Sequence, residues 1–524
     1  MWTFANTAIA YFGKLLNRTK VIRWPNIFIQ NCRGNVAMMF ALALIPVLLA
    51  VGAAIDYNRA SRNRAQVQNA LDAAALAVGA MPASTSQSDL EARGTAFFDA
   101  NFTAPSGVTY GALQIIRAGN TITLNLPASV DTSFMGLVGI NDMSFNLDTE
   151  IILGGGTLEV ALVLDNSGSM SGSKLSALQD AAGTLVDTMF QNAAPGTDDL
   201  KFSLVPFATF VDVGTVYAGV SWMDTQGLSP VHSENFSAPA NRFDLYNNIA
   251  NVQWEGCVEA RPYPHDVSDT PPNAANPETL FVPSFAPDHP DTGGPSWKYP
   301  NRYLADATGG STLVRQENIG KYYPGVAAIP GYYGTTYNIG PAFLCNQREL
   351  LPLTETQATI QTGINSMMAR GSTNIIEGLA WGWRTLSPGE PFTEGRVYTD
   401  NNNQKVLILL TDGQNMLSPV SSINKSLYSA YGFVKDGRVG TTSSSQSQQN
   451  SMMNARTAET CENVKASGIK IYTITFDLTH QATLDLMRDC ATSAAHYFNS
   501  PNASDLDDIF GQIAAELVEL RISR

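Results

Sequence analysis

Val160-Ala161-Leu162-Val163-Leu164 is an unbroken apolar run that stops at Asp165-Asn166-Ser167-Gly168-Ser169, an acid followed by hydroxyls at every second position. Such a run suits a strand covered on both faces, as in a parallel sheet sandwiched by helices, and ligands bind such sheets just beyond the carboxyl ends of the strands. The pattern therefore predicts that Asp165, Ser167 and Ser169 converge at the rim of a sheet. Oxygen donors with one charge among them suit a hard divalent cation such as Mg²⁺, and no His or Cys stands nearby to favour zinc or copper. A lone Asp-x-Ser-x-Ser also serves turns and helix caps, so further donors are needed from elsewhere in the chain.

Two later segments supply them. Gly371-Ser372-Thr373-Asn374 enters an expected helix, and Val406-Leu407-Ile408-Leu409-Leu410-Thr411-Asp412-Gly413 is a second buried-type strand ending in an acid. With these three segments the chain resembles von Willebrand factor type A domains that carry a metal-ion-dependent adhesion site. In that family the first Asp and both Ser, a Thr from a second loop and an Asp from a third surround the cation. Position by position, Asp165, Ser167, Ser169, Thr373 and Asp412 match. The resemblance implies a Rossmann-like α/β domain over 157–524 that binds Mg²⁺, with Mn²⁺ or Ca²⁺ as alternatives, and no catalytic residue.

Enzymatic chemistry finds little support in the residues. Ser167 and Ser169 lack the Gly-x-Ser-x-Gly elbow of a hydrolase nucleophile, and no second Asp follows Asp165 two residues on. His232, His265, His289, His480 and His496 are scattered and form no helical zinc-binding pair. Asp266, Asp269, Glu278 and Asp288 offer the carboxylates for an alternative hydrolase site, but such acids ordinarily line solvated loops.

The apolar stretch Val36–Ile55, about 20 residues without a charge, is long enough to cross a bilayer as a helix, with Pro46 tolerated inside it. Lys14, Arg18, Lys20, Arg23 and Arg33 precede it, so residues 1–35 are expected in the cytoplasm and the remainder on the exported side. Arg59, Arg62 and Arg64 weaken that asymmetry. Cysteine usage adds to it: Cys32 lies before the span, and Cys257, Cys345, Cys461 and Cys490 form an even set fit for two disulfides in an oxidising compartment. Three pairings are open; position along the chain favours Cys257 with Cys345 and Cys461 with Cys490. The formal charge of −14 argues against nucleic acid or an anionic lipid surface as principal partner.

Past the span, Ala-rich residues over 56–85 predict a helical stalk, and 86–153 a small mixed α/β module with strands at Thr121–Leu126 and Met143–Leu147. Gly154-Gly155-Gly156 is a candidate hinge. Within the larger domain, helices are expected at Leu175–Phe190, from about Thr356, at Ile375–Leu386 and at Asp505–Leu520, with strands at Phe202–Phe207 and Ile469–Phe476. An insertion over about 215–355, rich in Pro, Tyr, Trp and Asn, far exceeds an ordinary loop, and its aromatics predict ordered structure.

Arg33-Gly34-Asn35-Val36-Ala37, Asp56-Tyr57 and Gln68-Asn69-Ala70-Leu71-Asp72-Ala73-Ala74-Ala75 look like the TadG-like proteins of the Flp (Tad, tight-adherence) pilus machinery. So do Gly256-Cys257-Val258-Glu259-Ala260-Arg261-Pro262, Trp381-Gly382-Trp383-Arg384-Thr385-Leu386-Ser387-Pro388 and Leu520-Arg521-Ile522. This resemblance implies a bacterial inner-membrane protein, single-pass through 36–55, whose periplasmic part assembles, anchors or stabilises a type IV-like pilus. Pilus-assembly proteins or pilin are the implied partners, engaged through an acidic side chain at the metal. In a structural alternative, the cation merely pins three loops. Met39, where pilins typically carry Glu five residues after their cleaved Gly, argues against processing after Gly34.

Overall fold

The computed structural model describes residues 35–522 apart from 82–84, 119–120, 153–155, 194–197, 292–293, 307–308, 329–331, 334–336 and 346–347. The expected cytoplasmic segment with Cys32, and Gly154 and Gly155 of the candidate hinge, lie outside the described residues. The chain divides into two compact units, one built from residues up to 151 and one essentially from Ile152 onward.

The first unit is organised by one helix, α1 (Asn35–Gly79), which runs unbroken through Pro46. At a rise of about 1.5 Å per residue it is roughly 65 Å long. Its first half presents apolar side chains outward, Phe40, Leu42, Leu48 and Val51 among them. Its second half changes character: Val67, Leu71, Ala74 and Val78, at helical spacing, are buried on one face. Helix α2 (Gln87–Asn101) approaches there through Gly94, where an added Cβ would meet Ile115 Cδ1 at 2.3 Å and Val78 Cγ2 at 3.0 Å. Strands β1 (Val108–Tyr110), β2 (Gln114–Ala118), β3 (Thr121–Asp131) and β4 (Asp142–Ile152) form a sheet in which β3 pairs with the other three. Ile122, Leu124, Leu126, Ala128 and Val130 alternate into its buried side.

The second unit is a six-stranded sheet between two layers of helices. Its strands are β5 (Thr157–Asp165), β6 (Leu200–Phe207), β7 (Leu351–Thr354), β8 (Asn403–Thr411), β9 (Lys470–Phe476) and β10 (Tyr497–Ser500). They lie in the order β7-β6-β5-β8-β9-β10, all parallel except the edge strand β7. Residues of β5 and β8 are buried on both faces, which explains their continuous apolar runs. Helices α3 (Ser173–Gln191), α4 (Gln357–Asn365) and α8 (Ala503–Ile522) share one core with Val160, Leu162, Leu164 and Ile408. Helices α5 (Ile375–Leu386), α6 (Gln446–Ala466) and α7 (Gln481–Cys490) contribute to the core on the opposite face with Ala161, Val163, Leu407 and Leu409.

The insertion begins directly after β6 and ends before β7, somewhat earlier at both ends than the pattern suggested. Trp222, Phe236, Tyr246, Phe281, Phe285 and Tyr303 join the same core as Val163 and Leu407, so the insertion forms part of the cover of the sheet. The structure pairs Cys257 with Cys345, which closes the insertion on itself, and Cys461 with Cys490, which ties α6 to α7. Two acids expected in solvated loops prove buried instead. Asp266 accepts hydrogen bonds from Arg456 and from Tyr431, and Asp288 holds Lys321 at 2.7 Å. Each is occupied by its own cation, as a buried carboxylate must be. His232 and His289, both buried, accept backbone hydrogen bonds through Nδ1 from Arg242 and Asn301 and are structural.

Asp212 at the root of the insertion is less well compensated. Its carboxylate accepts one hydrogen bond from Gly214 N at 2.9 Å, while burial, with help from Glu349 and Glu255, pushes it up to about 7. A carboxyl whose folded value is raised binds protons more tightly in the native state, so its cost to stability grows as pH rises from the ordinary carboxylate range to 7. Asp212→Asn keeps an acceptor for Gly214 and removes the charge. It should stabilise the protein at pH 8 by up to a few kcal/mol, at about 1.4 kcal/mol per tenfold change in proton affinity, and the gain should vanish near pH 4. Paired thermal melts across that range check the sign.

Candidate metal centre

The chain leaves β5, forms α3, returns as β6 and later β7 on one side of β5, then crosses to β8 on the other side. The crossovers diverge at the carboxyl ends of β5 and β8, and that topological switch point is where an open α/β sheet binds ligands. Asp165 is the last residue of β5 and Asp412 the first after β8. In the paired register, Leu410 lies opposite Leu164, so the two acids follow neighbouring strands almost in step.

Hydrogen bonds join three loops into one cluster here. Asp165 Oδ1 accepts from Ser167 N at 2.7 Å and Oδ2 from Thr411 Oγ1 at 2.6 Å. Ser167 Oγ lies 2.9 Å from Ser169 Oγ and accepts from Thr373 Oγ1 at 3.0 Å. Ser169 Oγ donates to Asp412 Oδ1 at 2.5 Å. The five residues read from the sequence, Asp165, Ser167, Ser169, Thr373 and Asp412, are thus brought together in the fold. Asp165, Ser167, Thr373 and Asp412 are buried, whereas Ser169 is exposed and opens the cluster to solvent.

The surrounding loops are held independently. Gly371, at φ +79°, turns its carbonyl to accept from Gly168 N at 3.0 Å, and Thr209 Oγ1 accepts from Ser372 N at 2.9 Å. Asn374 caps α5 by accepting from Glu377 N, and Asn415 accepts from Ile375 N while donating to Asn454 and Thr457 of α6. Two partners escaped the sequence reading. Thr411 is one. The other is Lys174, whose Nζ lies 2.9 Å from Asp412 Oδ2 and 3.0 Å from Asp477 Oδ2. Its place in the first turn of α3, behind the Ser-x-Ser loop, was the available signal.

The donor set fits a hard cation. Its members are two carboxylates and three hydroxyls, and among the described residues no group of three or more His, Cys, Asp or Glu is placed to hold a metal. Burial, then the nearby Asp412 carboxylate, pushes Asp165 up to about 7 against the hydrogen bonds from Thr411 and Ser167. A positive charge between the two acids would relieve that repulsion. The amide of Asn166, buried between Asp165 and Ser167 in sequence, has neither Oδ1 nor Nδ2 hydrogen-bonded.

The doubly wound sheet, with Asp-x-Ser-x-Ser closing its central strand and the Thr373 and Asp412 loops beside it, is the Rossmann-like α/β arrangement expected from the sequence. Residues 34–81 match the family described as Tad: Putative Flp pilus-assembly TadE/G-like, which bears out the resemblance read from Gly34 to Ala75. No curated protein matches the chain. Among solved structures, the pilus adhesin SpaC from Lactobacillus rhamnosus GG (open conformation) is similar at 12% identity and TM-score 0.31, over 80% of this chain. This chain spans only 35% of SpaC. The vWF domain of the type V pili tip protein Mfa5 from Porphyromonas gingivalis is similar at 11% identity and TM-score 0.33, over 71% of this chain and 97% of that one. The adhesive tip pilin GBS104 from Group B Streptococcus agalactiae is similar at 11% identity and TM-score 0.32, over 69% of this chain and all of its own.

Gly413 offers a graded test of the centre. A Cβ there would meet Thr373 Oγ1 at 2.8 Å, and rotating that hydroxyl away breaks its bond to Ser167. Gly413→Ala should weaken Mg²⁺ or Mn²⁺ binding by about 10-fold, the scale of a disturbed ligand environment, with little change in the melting temperature measured in EDTA. Titration calorimetry of both proteins reads the difference.

Proposed function

We propose that the chain is a membrane-anchored, metal-dependent protein-binding component of a Flp/Tad pilus machinery, which assembles, anchors or stabilises the pilus for surface adherence. The observation that carries this reading is the oxygen-donor cluster at the switch point of the second unit, closed on its inner side and open at Ser169. It is joined in one chain to an apolar helix of TadE/G-like sequence. Asp165, Ser167, Ser169, Thr373 and Asp412 would hold Mg²⁺, or Mn²⁺ or Ca²⁺ in its place. When bound, the cation supplies a positive charge with a coordination position for a carboxylate of the partner. Asp165 and Asp412 provide the negative charge of the site, Ser167 and Thr373 fix the loops, and Ser169 stands at the solvent edge. The partner surface is then an acidic side chain on a pilus-assembly protein or pilin, and the insertion around the sheet shapes which partner fits.

α1 is the one helix among the described residues that is long and apolar enough to cross a membrane. In the proposed topology its apolar first half spans the inner membrane of a bacterium, with the basic residues before it in the cytoplasm and the rest of the chain after it in the periplasm. The disulfides Cys257–Cys345 and Cys461–Cys490 support an oxidising compartment.

Affinity capture with the tagged full chain in lipid nanodiscs, in Mg²⁺ and in EDTA, tests the reading. Pilus components recovered in Mg²⁺ and lost both in EDTA and with Asp165→Ala are the expected result. Equal recovery in all three would assign binding to other surfaces and leave the cation a loop-pinning role.

A further inference from the structure

The loop joining β3 to β4, Thr132–Asn141, exposes apolar side chains beside the anchoring helix. Leu137 is 79% exposed, Val138 47% and Phe134 43%, and no residue from Thr132 to Ile140 carries a charge. Its position along α1 is fixed by two contacts. Phe134 packs on Gly52, where an added Cβ would meet Phe134 Cβ at 2.6 Å, and the Asp56 carboxylate accepts hydrogen bonds from Ser133 N, Phe134 N and Met135 N. Gly52 lies within the charge-free stretch Val36–Ile55, about 5 Å short of its end by helical rise. The loop therefore reaches the level of the last turn of the span.

Most of the loop's N–H groups are paired within the protein. Asp56 takes three N–H groups, Leu137 N, Gly139 N and Ile140 N donate to Phe134 O, Gly136 O and Met135 O, and Thr132 N donates to Asn141 O. Irregular backbone exposed to lipid is kept out of the hydrocarbon region, so a loop with these groups paired can lie at the interface but no deeper. Arg59, one turn beyond Asp56, is held by Ser106 O at 2.7 Å, and Arg62 and Arg64 are near it in sequence at the height where headgroups would lie.

We propose that Phe134, Leu137 and Val138 enter the membrane interface beside α1, making this loop a second, monotopic contact of the first unit with the lipid bilayer. The occupant is lipid because Phe134 packs on Gly52, whose same-face neighbours at helical spacing, Leu48 and Ile55, are themselves exposed apolar side chains of the span. The contact would fix the tilt and rotation of the stalk, which a single helix leaves free. The proposal rests on α1 being a membrane span.

The test uses the full chain with Cys32→Ser, reconstituted in vesicles of phosphatidylethanolamine and phosphatidylglycerol. An environment-sensitive fluorophore is placed in turn at Leu137→Cys, Val138→Cys and Leu48→Cys, all exposed positions. Blue-shifted emission at all three, with the loop probes quenched more by spin labels near the headgroups than by labels at the bilayer centre, is expected. Water-like emission at both loop sites with a quenched Leu48 probe would overturn the proposal and leave the anchor standing. Water-like emission at all three would overturn both. Blue-shifted loop probes that escape lipid-borne quenchers and revert on dilution of protein in the membrane would assign the patch to a second copy and overturn the lipid contact.

Discussion

Asp165 and Asp412 follow neighbouring parallel strands in near register, and the second unit is arranged around the need to keep two acids close together in a buried place. Thr411, Ser167 and Ser169 each give a hydrogen-bond donor to one of them, and Lys174 gives Asp412 a counter-charge. Even so, burial and mutual repulsion hold Asp165 at about 7. The sheet order places these acids at the switch point, α3 begins from the loop that follows Asp165 and α5 from the Gly371–Asn374 loop, and Asn415 ties the third loop to α6. A cation joining the carboxylates would complete an arrangement that the fold otherwise leaves electrostatically unbalanced.

The insertion shows the same economy of buried charge on a larger scale. Glu259 accepts from Arg242, Arg438 and Tyr428, each at 2.7 Å, and links the insertion to the segment between β8 and α6. Asp266 ties the insertion to Arg456 of α6, and Asp288 pairs with Lys321 inside the insertion. Such pairs add little net stability over apolar packing but are costly to break singly, which favours one defined arrangement.

Much of this was legible in the sequence because burial on both faces leaves continuous apolar runs. β9 was read within one residue, β5 and β8 with starts three residues late, and α5 at its observed bounds, since its buried stripe runs over the whole helix. The five oxygen donors were readable because each follows or precedes such an element. Helix α6 was missed: it opens Gln446-Ser447-Gln448-Gln449-Asn450 and buries Gln449, Thr457 and Thr460, so no apolar period marks it. Lys174 and Thr411 were missed because their partners come from elements far away in sequence. The burial of Asp266 and Asp288 was likewise invisible, since it depends on Arg456 and Lys321 arriving in space.

Asp165 and Asp412, with Ser167, Ser169 and Thr373, are proposed to form one divalent-cation site. A Mn²⁺ titration followed by electron paramagnetic resonance, on the full chain in nanodiscs, counts tightly bound ions directly. One ion per chain in the wild type and none in Asp165→Asn/Asp412→Asn, with Mg²⁺ displacing the Mn²⁺, is the expected result. An equal count in both proteins would contradict it.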